Sequence, residues 1–177
     1  LLSRLIRDTG KLEGEMDKLL QLSRMERGGN LNLTSVQLIP FLKNITKNIA
    51  LEENLSVSID SISNDITIIA DEFALELIIK NLFENTRIHS KSKKINIKIN
   101  SAEENIHVSY DDGGIFNGDP TKLGTLFYKY DSKKGSGIGL YLIKKLLSKM
   151  HGNIIIETSP HLIFNIYRSV HIMGIFE

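Results

Sequence analysis

The sequence predicts an α+β fold, a two-layer sandwich of mixed, mostly antiparallel sheet covered by three helices, preceded by one long helix. Three observations carry that prediction. Apolar residues recur at alternating spacings of three and four through residues 1–28, the seam of a heptad pattern. Ile95, Ile97 and Ile99, then Ile106, Val108 and Tyr110, alternate with polar residues on either side of a short polar turn, which is the pattern of an antiparallel hairpin with one buried face. The remaining helical and strand patterns do not alternate regularly, which argues against a parallel α/β sheet.

The elements follow in order. The stripe Leu2, Leu5, Thr9, Leu12, Met16, Leu19 and Ser23 needs a partner to cover it, and Gly28-Gly29-Asn30 supplies the stop. Ser35 reads as the N-cap of a helix carrying Val36, Ile39, Leu42, Ile45 and Ile49, with Pro40 in its first turns. β-rich runs come next at Leu55–Ile59 and Ile66–Ile69. A helix over 72–88 places Leu75, Ile78, Ile79, Leu82 and Phe83 on one stripe. After the hairpin, a loop-rich stretch runs from Asp111 to about Ser136. A helix over 138–150 follows, ended by His151-Gly152-Asn153, and Ile154–Thr158 and Ile163–Val170 close the sheet. The chain divides into an appendage, 1–30, and a domain, 31–177.

Composition removes several classes. Lys+Arg 22 against Asp+Glu 21 gives a net charge of +1, so no basic excess points to nucleic acid. Cys 0 excludes disulfides, thiolate metal sites and cysteine nucleophiles. No apolar run approaches the length of a membrane span. The chain starts at Leu1 without a recognisable signal peptide, as expected for a piece of a longer protein.

Three polar clusters interrupt the apolar pattern. Asn81 and Asn85, four apart, project from one helix face and suit a Mg²⁺ that keeps most of its waters; an isolated pair of this kind is more readily read as two exposed amides capping nothing. Asp111-Asp112-Gly113-Gly114 follows a strand, giving an acceptor and a backbone open to a flat ligand, or simply a turn. Gly135-Ser136-Gly137-Ile138-Gly139-Leu140 opens a helix, where converging N–H groups and the dipole favour an anion. No strand precedes that glycine run and its spacing is G-x-G-x-G, so the dinucleotide fingerprint fails. The Walker pattern is absent as well.

Taken together, Asn-x-x-x-Asn on a helix, Asp-x-Gly after a strand, the aromatic segment Leu126-Phe127-Tyr128-Lys129-Tyr130 and Gly-x-Gly-x-Gly-Leu resemble the ATP-binding domain of sensor histidine kinases. That domain belongs to the superfamily of gyrase-like, chaperone and mismatch-repair ATPases. Residues 1–28 resemble the second helix of the kinase dimerisation hairpin. The resemblance implies ATP and Mg²⁺ as cofactors, Asn85 as principal metal ligand with Asn81 in support, and Asp111 as acceptor for the adenine amino group. It lays Gly113 and Gly114 along the nucleotide, brings His89 to the base and Lys129 to the γ-phosphate, and lines the phosphates with Gly135, Gly137, Ile138, Gly139 and Leu140. His107, His151, His161 and His171 lack metal spacing and read as structural.

The resemblance further implies transfer of the γ-phosphoryl group to a His on an upstream helix, since residues 1–30 contain no His, and relay to an Asp of a response regulator receiver domain. It implies a homodimer through 1–28 and its missing hairpin partner, and a cytoplasmic location in a parent of a kind often anchored in the membrane. The departures are specific. The first glycine box usually reads D-x-G-x-G, and counted from Asp111 it is one residue short. Ile88 stands where Lys or Arg is usual, Thr86 where Ala or Gly is usual, and the lid, Asp131–Lys134, is short. A degenerate signalling module therefore stays open. An anti-sigma-type serine kinase is disfavoured, because Asn81 occupies the position of a carboxylate base.

Overall fold

The computed structural model describes residues 2–102, 105–114, 116–129, 135–156 and 161–167. The first helix, α1, spans Leu2–Glu26 and closes as the glycines predict: Gly28 turns left-handed at φ 85° and Gly29 N–H donates to the Arg24 carbonyl at 3.1 Å. Its heptad stripe is not what packs on the domain. Leu2, Leu5, Leu12, Met16 and Leu19 are exposed, whereas Leu22, off the stripe, is buried. Lys18, on that same docked side, ion-pairs with Glu15 and with Glu84 of the domain, and Lys149 Nζ donates to the Gly29 carbonyl at 3.0 Å.

Ser35 is not a helix cap. Thr34–Gln37 form strand β1, the helix α2 runs Leu38–Glu53, and Gln37 is its N-cap with no side-chain capping bond. The reason is pairing. β1 runs antiparallel to β3 (Thr67–Ala70), setting Val36 opposite Ile68, both buried, so tertiary burial overrides the local capping signal. Pro40 falls in the first turn of α2, where no helical N–H bond is lost.

The second sheet contains β2 (Ser56–Ser61), β4 (Lys94–Ala102), β5 (Asn105–Asp111), β6 (Asn153–Ile156) and β7 (His161–Tyr167), in the order β2-β4-β5-β7-β6. Only β2 and β4 are parallel. The expected last strand reached Val170, and its residues 168–170 lie outside the described residues. Helix α3, Glu72–His89, starts at Asp71, whose carboxylate accepts from Ala74 N–H at 2.9 Å and from Asn32 N–H at 2.7 Å. Helix α4 spans Gly139–Lys149. One sheet face, with Ile95, Ile97, Ile99, Ile106, Val108 and Tyr110, is buried in one core with Ile78, Leu82 and Phe83 of α3 and Leu142, Ile143 and Leu146 of α4. The opposite face carries Asn96, Lys98 and Asn100 and is exposed. This is the expected two-layer α+β sandwich.

Candidate functional site

The i, i+4 spacing on α3 brings Asn81 and Asn85 to the seam where α4 begins. Asn81 is buried and its Nδ2 donates back to the Leu77 carbonyl at 2.8 Å, which turns Oδ1 toward α4. A Cβ added at Gly139 would lie 3.0 Å from Asn81 Oδ1 and 3.8 Å from Asn85 Oδ1, so the glycine leaves the space above both amides open. Among the described residues, Asn81 Oδ1 and Asn85 Nδ2 are buried without a hydrogen-bond partner. Buried amide atoms are usually satisfied, so two orphans at one seam mark a place for a ligand group.

Asp111 and Asp112 separate onto different sides of β5. Burial alternates along the strand, with Ile106, Val108 and Tyr110 inward; Asp111 takes the outward position opposite Asn96, and its Oδ1 accepts from Gly113 N–H at 2.9 Å. Strand parity thus aims Asp111, the expected base contact, across the sheet from α3. Asp112 faces α3 instead. Its Oδ2 lies 2.8 Å from Thr86 Oγ1, its Oδ1 accepts from Gly114 N–H at 2.9 Å, and its carbonyl accepts from Ser90 Oγ at 2.8 Å. Counted from Asp112, the chain reads Asp112-Gly113-Gly114-Ile115-Phe116. The D-x-G spacing is then intact, with Phe116 at the second glycine position. Thr86 is fully buried and its Oγ1 also lies 2.6 Å from Tyr110 Oη. Burial pushes the Tyr110 hydroxyl well above the ordinary tyrosine range, and the Asp112 charge reinforces the effect.

The glycine-rich segment is held by backbone. Gly137 takes φ 76°, and its carbonyl accepts from Phe127 N–H at 3.0 Å. Phe127 is itself left-handed, at φ 63°. Gly135, at φ 72°, has His89 Nε2 as the nearest group to an added Cβ, at 3.7 Å, so His89 does meet the segment. Ile138 caps α4 with its side chain buried, and Leu140 packs half-buried on the core. Any contact from these two to a ligand anion comes from the backbone. The first α4 N–H groups point to the same seam as Asn81, and Leu142 N–H is the first to bond back, to the Ile138 carbonyl at 2.8 Å. Gly113 borders Ser92, and Gly114 borders Ser90 and Asp112. Lys129 is exposed at the end of its described stretch. Tyr130 and the lid residues Asp131–Lys134 lie outside the described residues.

The structure therefore brings Asn81, Asn85 and Gly139 together at the α3–α4 seam and His89 beside Gly135, while Gly113 and Gly114 lie by Ser92 and Ser90 past the end of α3 and Gly137 lies against Phe127 and Tyr128. It sets Asp111 apart and adds Asp112, Thr86 and Tyr110. The alternation of Val108 and Tyr110, continued past the strand end, is the signal that singles out Asp112.

Residues 70–169 match the profile of a family described as histidine kinase-, DNA gyrase B- and HSP90-like ATPases. Among solved structures the chain is similar to the Acinetobacter baumannii histidine kinase AdeS, at 18% identity and a TM-score of 0.76, over 96% of this chain and 84% of that one. Full-length ShkA in complex with AMPPNP is similar at 19% identity and 0.68, over 91% of this chain and 37% of that one. The ATP-binding domain of PrrB from Mycobacterium tuberculosis is similar at 18% identity and 0.63, over 78% and 99%. At these identities the likeness is one of fold. No curated protein matches the sequence.

Proposed function

The chain belongs to the histidine kinase-, DNA gyrase B- and HSP90-like ATPases, and from that premise we propose that it is the catalytic part of a sensor histidine kinase, transferring the γ-phosphoryl group of ATP to a His supplied by an upstream helix. The observation that carries the reading is the pair of orphaned amides, Asn81 and Asn85, buried where the N-terminus of α4 opens at Gly139. One orphan, Asn81 Oδ1, is an acceptor and the other, Asn85 Nδ2, a donor, so an open helix N-terminus with an acceptor for a cation and a donor for phosphate forms a place where the two can meet.

In this reading the base lies toward Asp112, which accepts from the adenine amino group in the role that the sequence assigned to Asp111. His89 borders the base end. The phosphates lie on the N–H groups of Gly137, Gly139 and Leu140, and Lys129 approaches from the lid side. Asn85 and Asn81 offer amide oxygens to Mg²⁺. Two neutral amide oxygens on adjacent turns fit a hard cation that keeps most of its waters and is held jointly with phosphates. Bound there, the ion would neutralise charge on the transferring phosphoryl group. The chain's own contribution is orientation and charge balance, with no carboxylate at Asn81 to activate water.

The exposed stripe of α1 covers itself by pairing with a second copy and with the preceding hairpin helix, so that 1–30 serve dimerisation and 31–177 serve nucleotide. No helix among the described residues is long and apolar enough to cross a membrane. A response regulator receiver domain would take the phosphoryl group onward.

Calorimetry with Mg·ATP tests the site. Asp112→Asn weakens binding at least tenfold, whereas Asp111→Asn leaves it within about threefold, a tenfold change being about 1.4 kcal/mol. Adding a separately produced upstream helix bearing a His, with γ-labelled ATP, yields acid-labile phosphohistidine. Tight nucleotide binding without transfer under those conditions would favour the non-catalytic module.

A further inference from the structure

Thr86 and Tyr110 stand under Asp112 and touch no open space. Thr86 is fully buried in the last turn of α3, and Tyr110 lies two residues before Asp112 on the inward face of β5. Thr86 Oγ1 is 2.6 Å from Tyr110 Oη, 2.8 Å from Asp112 Oδ2 and 3.2 Å from the Leu82 carbonyl. The hydrogens can be counted. The ionised carboxylate and the Leu82 carbonyl only accept, and each hydroxyl has one hydrogen to give.

The carboxylate is nearer to Thr86 than the carbonyl is, and it is charged, so it takes the Thr86 hydrogen. Tyr110 then donates to Thr86, and the two hydrogens run in one direction, from Tyr110 through Thr86 to Asp112. Such chains strengthen their members cooperatively. Burial keeps the proton on Tyr110, which makes it a constant donor. The other carboxylate oxygen accepts from Gly114 N–H. With both oxygens held, the Asp112 side chain cannot rotate, and what it presents outward is acceptor only.

We propose that Thr86 and Tyr110 are positioning residues that aim Asp112 so that the site discriminates a 6-amino purine from a 6-oxo purine. The proposal rests on the reading of Asp112 as the base contact. A 6-amino group donates to the fixed carboxylate, whereas a 6-oxo group brings a second acceptor against it, and a carboxylate free to swing could turn away from that clash.

The test is calorimetric titration of the purified chain with Mg·ATP and with Mg·ITP, together with thermal denaturation. Thr86→Val keeps the shape but removes the hydroxyl. The expected result is a fall of roughly tenfold in the preference for ATP over ITP, the size of one lost hydrogen bond to a charged group. Thr86→Ser restores the preference. Tyr110→Phe lowers it only a few-fold, because Thr86 still donates to Asp112. A merely structural role would weaken both nucleotides alike and lower Tm at constant preference, and that result overturns the proposal. If Thr86→Val does not fold, Tyr110→Phe and Thr86→Ser carry the measurement, and a wild-type preference in Tyr110→Phe overturns it. Failure of the wild-type chain to bind Mg·ATP would instead overturn the reading of the site.

Discussion

Replacing Gly137 by alanine asks how the glycine-rich segment before α4 is held, and Gly135 provides the control. Both glycines are left-handed, at φ 76° and φ 72°. Forcing alanine into that region costs roughly 1–2 kcal/mol at either position, so the cost cancels in the comparison. Their surroundings differ. A Cβ at Gly137 would fall 2.7 Å from the Phe127 carbonyl carbon and 2.7 Å from the Tyr128 carbonyl oxygen, both backbone, while at Gly135 the nearest atom among the described residues is His89 Nε2 at 3.7 Å. Carbon atoms in good contact sit about 3.5–4.0 Å apart, so the Gly137 overlap has to be relieved by moving backbone. That movement breaks the Phe127–Gly137 hydrogen bond, worth about 0.5–1.5 kcal/mol. Gly137→Ala therefore costs about 1 kcal/mol or more beyond Gly135→Ala. The segment lies outside the buried cluster, so the cost appears as local opening and not as global unfolding. Mg·ATP binding followed by calorimetry should be weakened roughly tenfold more by Gly137→Ala than by Gly135→Ala. Thermal midpoints should stay within a few degrees of each other. Equal binding losses at the two positions would refute the argument from close backbone approach.

Two further outcomes follow from the same geometry. Reversing Lys18 to Glu sets it against Glu15 and Glu84 and loosens α1 from the domain by about 1 kcal/mol, a modest figure because Glu84 is partly exposed; limited proteolysis around residues 27–33 should accelerate, and the double variant Lys18→Glu, Glu84→Lys should reverse much of it. Tyr110 governs alkaline stability. Its folded pKa is raised above the ordinary 10.0, so its contribution is complete below that pH and lost as pH rises beyond it, when the unfolded chain releases the proton first. Thermal midpoints measured from pH 8 to 11 should fall beyond pH 10, and Tyr110→Phe should flatten the decline. An unchanged slope in that variant would contradict the assignment.

Element order and the covered sheet face were legible because they rest on periodicity over many residues: the Ile95–Ile97–Ile99 alternation and the α3 stripe survive any single error. Features decided by one residue's neighbours were less so. Ser35 carries a capping signal, but Val36 finds Ile68 across a strand pair 32 positions away, a contact no local pattern announces. Leu22 lies off the heptad stripe, and its burial depends on where α1 meets the domain. The aspartates illustrate a different limit. The motif fits Asp111 or Asp112 according to which glycine is counted. The pleat decides: Tyr110 points inward, so Asp111 points away. The shared face of Asn81 and Asn85 was readable because an i, i+4 spacing matches helix geometry, whereas Thr86 and Tyr110 matter only through a meeting 24 residues apart in sequence.

Helix α1 has one side tied to the domain near Lys18 and Leu22 and another side, through Leu12 and Met16, left bare. Ten residues of helix, roughly 15 Å, separate Leu12 from Leu22. A stiff rod gripped at two points transmits twist. A partner clasping the bare side would set the bearing of the whole sandwich, and a quarter turn of the rod, about one residue's rotation, would drag on Glu84, the immediate neighbour of Asn85. In the proposed reading the helix is the axle on which the nucleotide site is mounted, and its rotation is a quantity that paired spin labels at Leu12 and Ser58 would read directly as a distance.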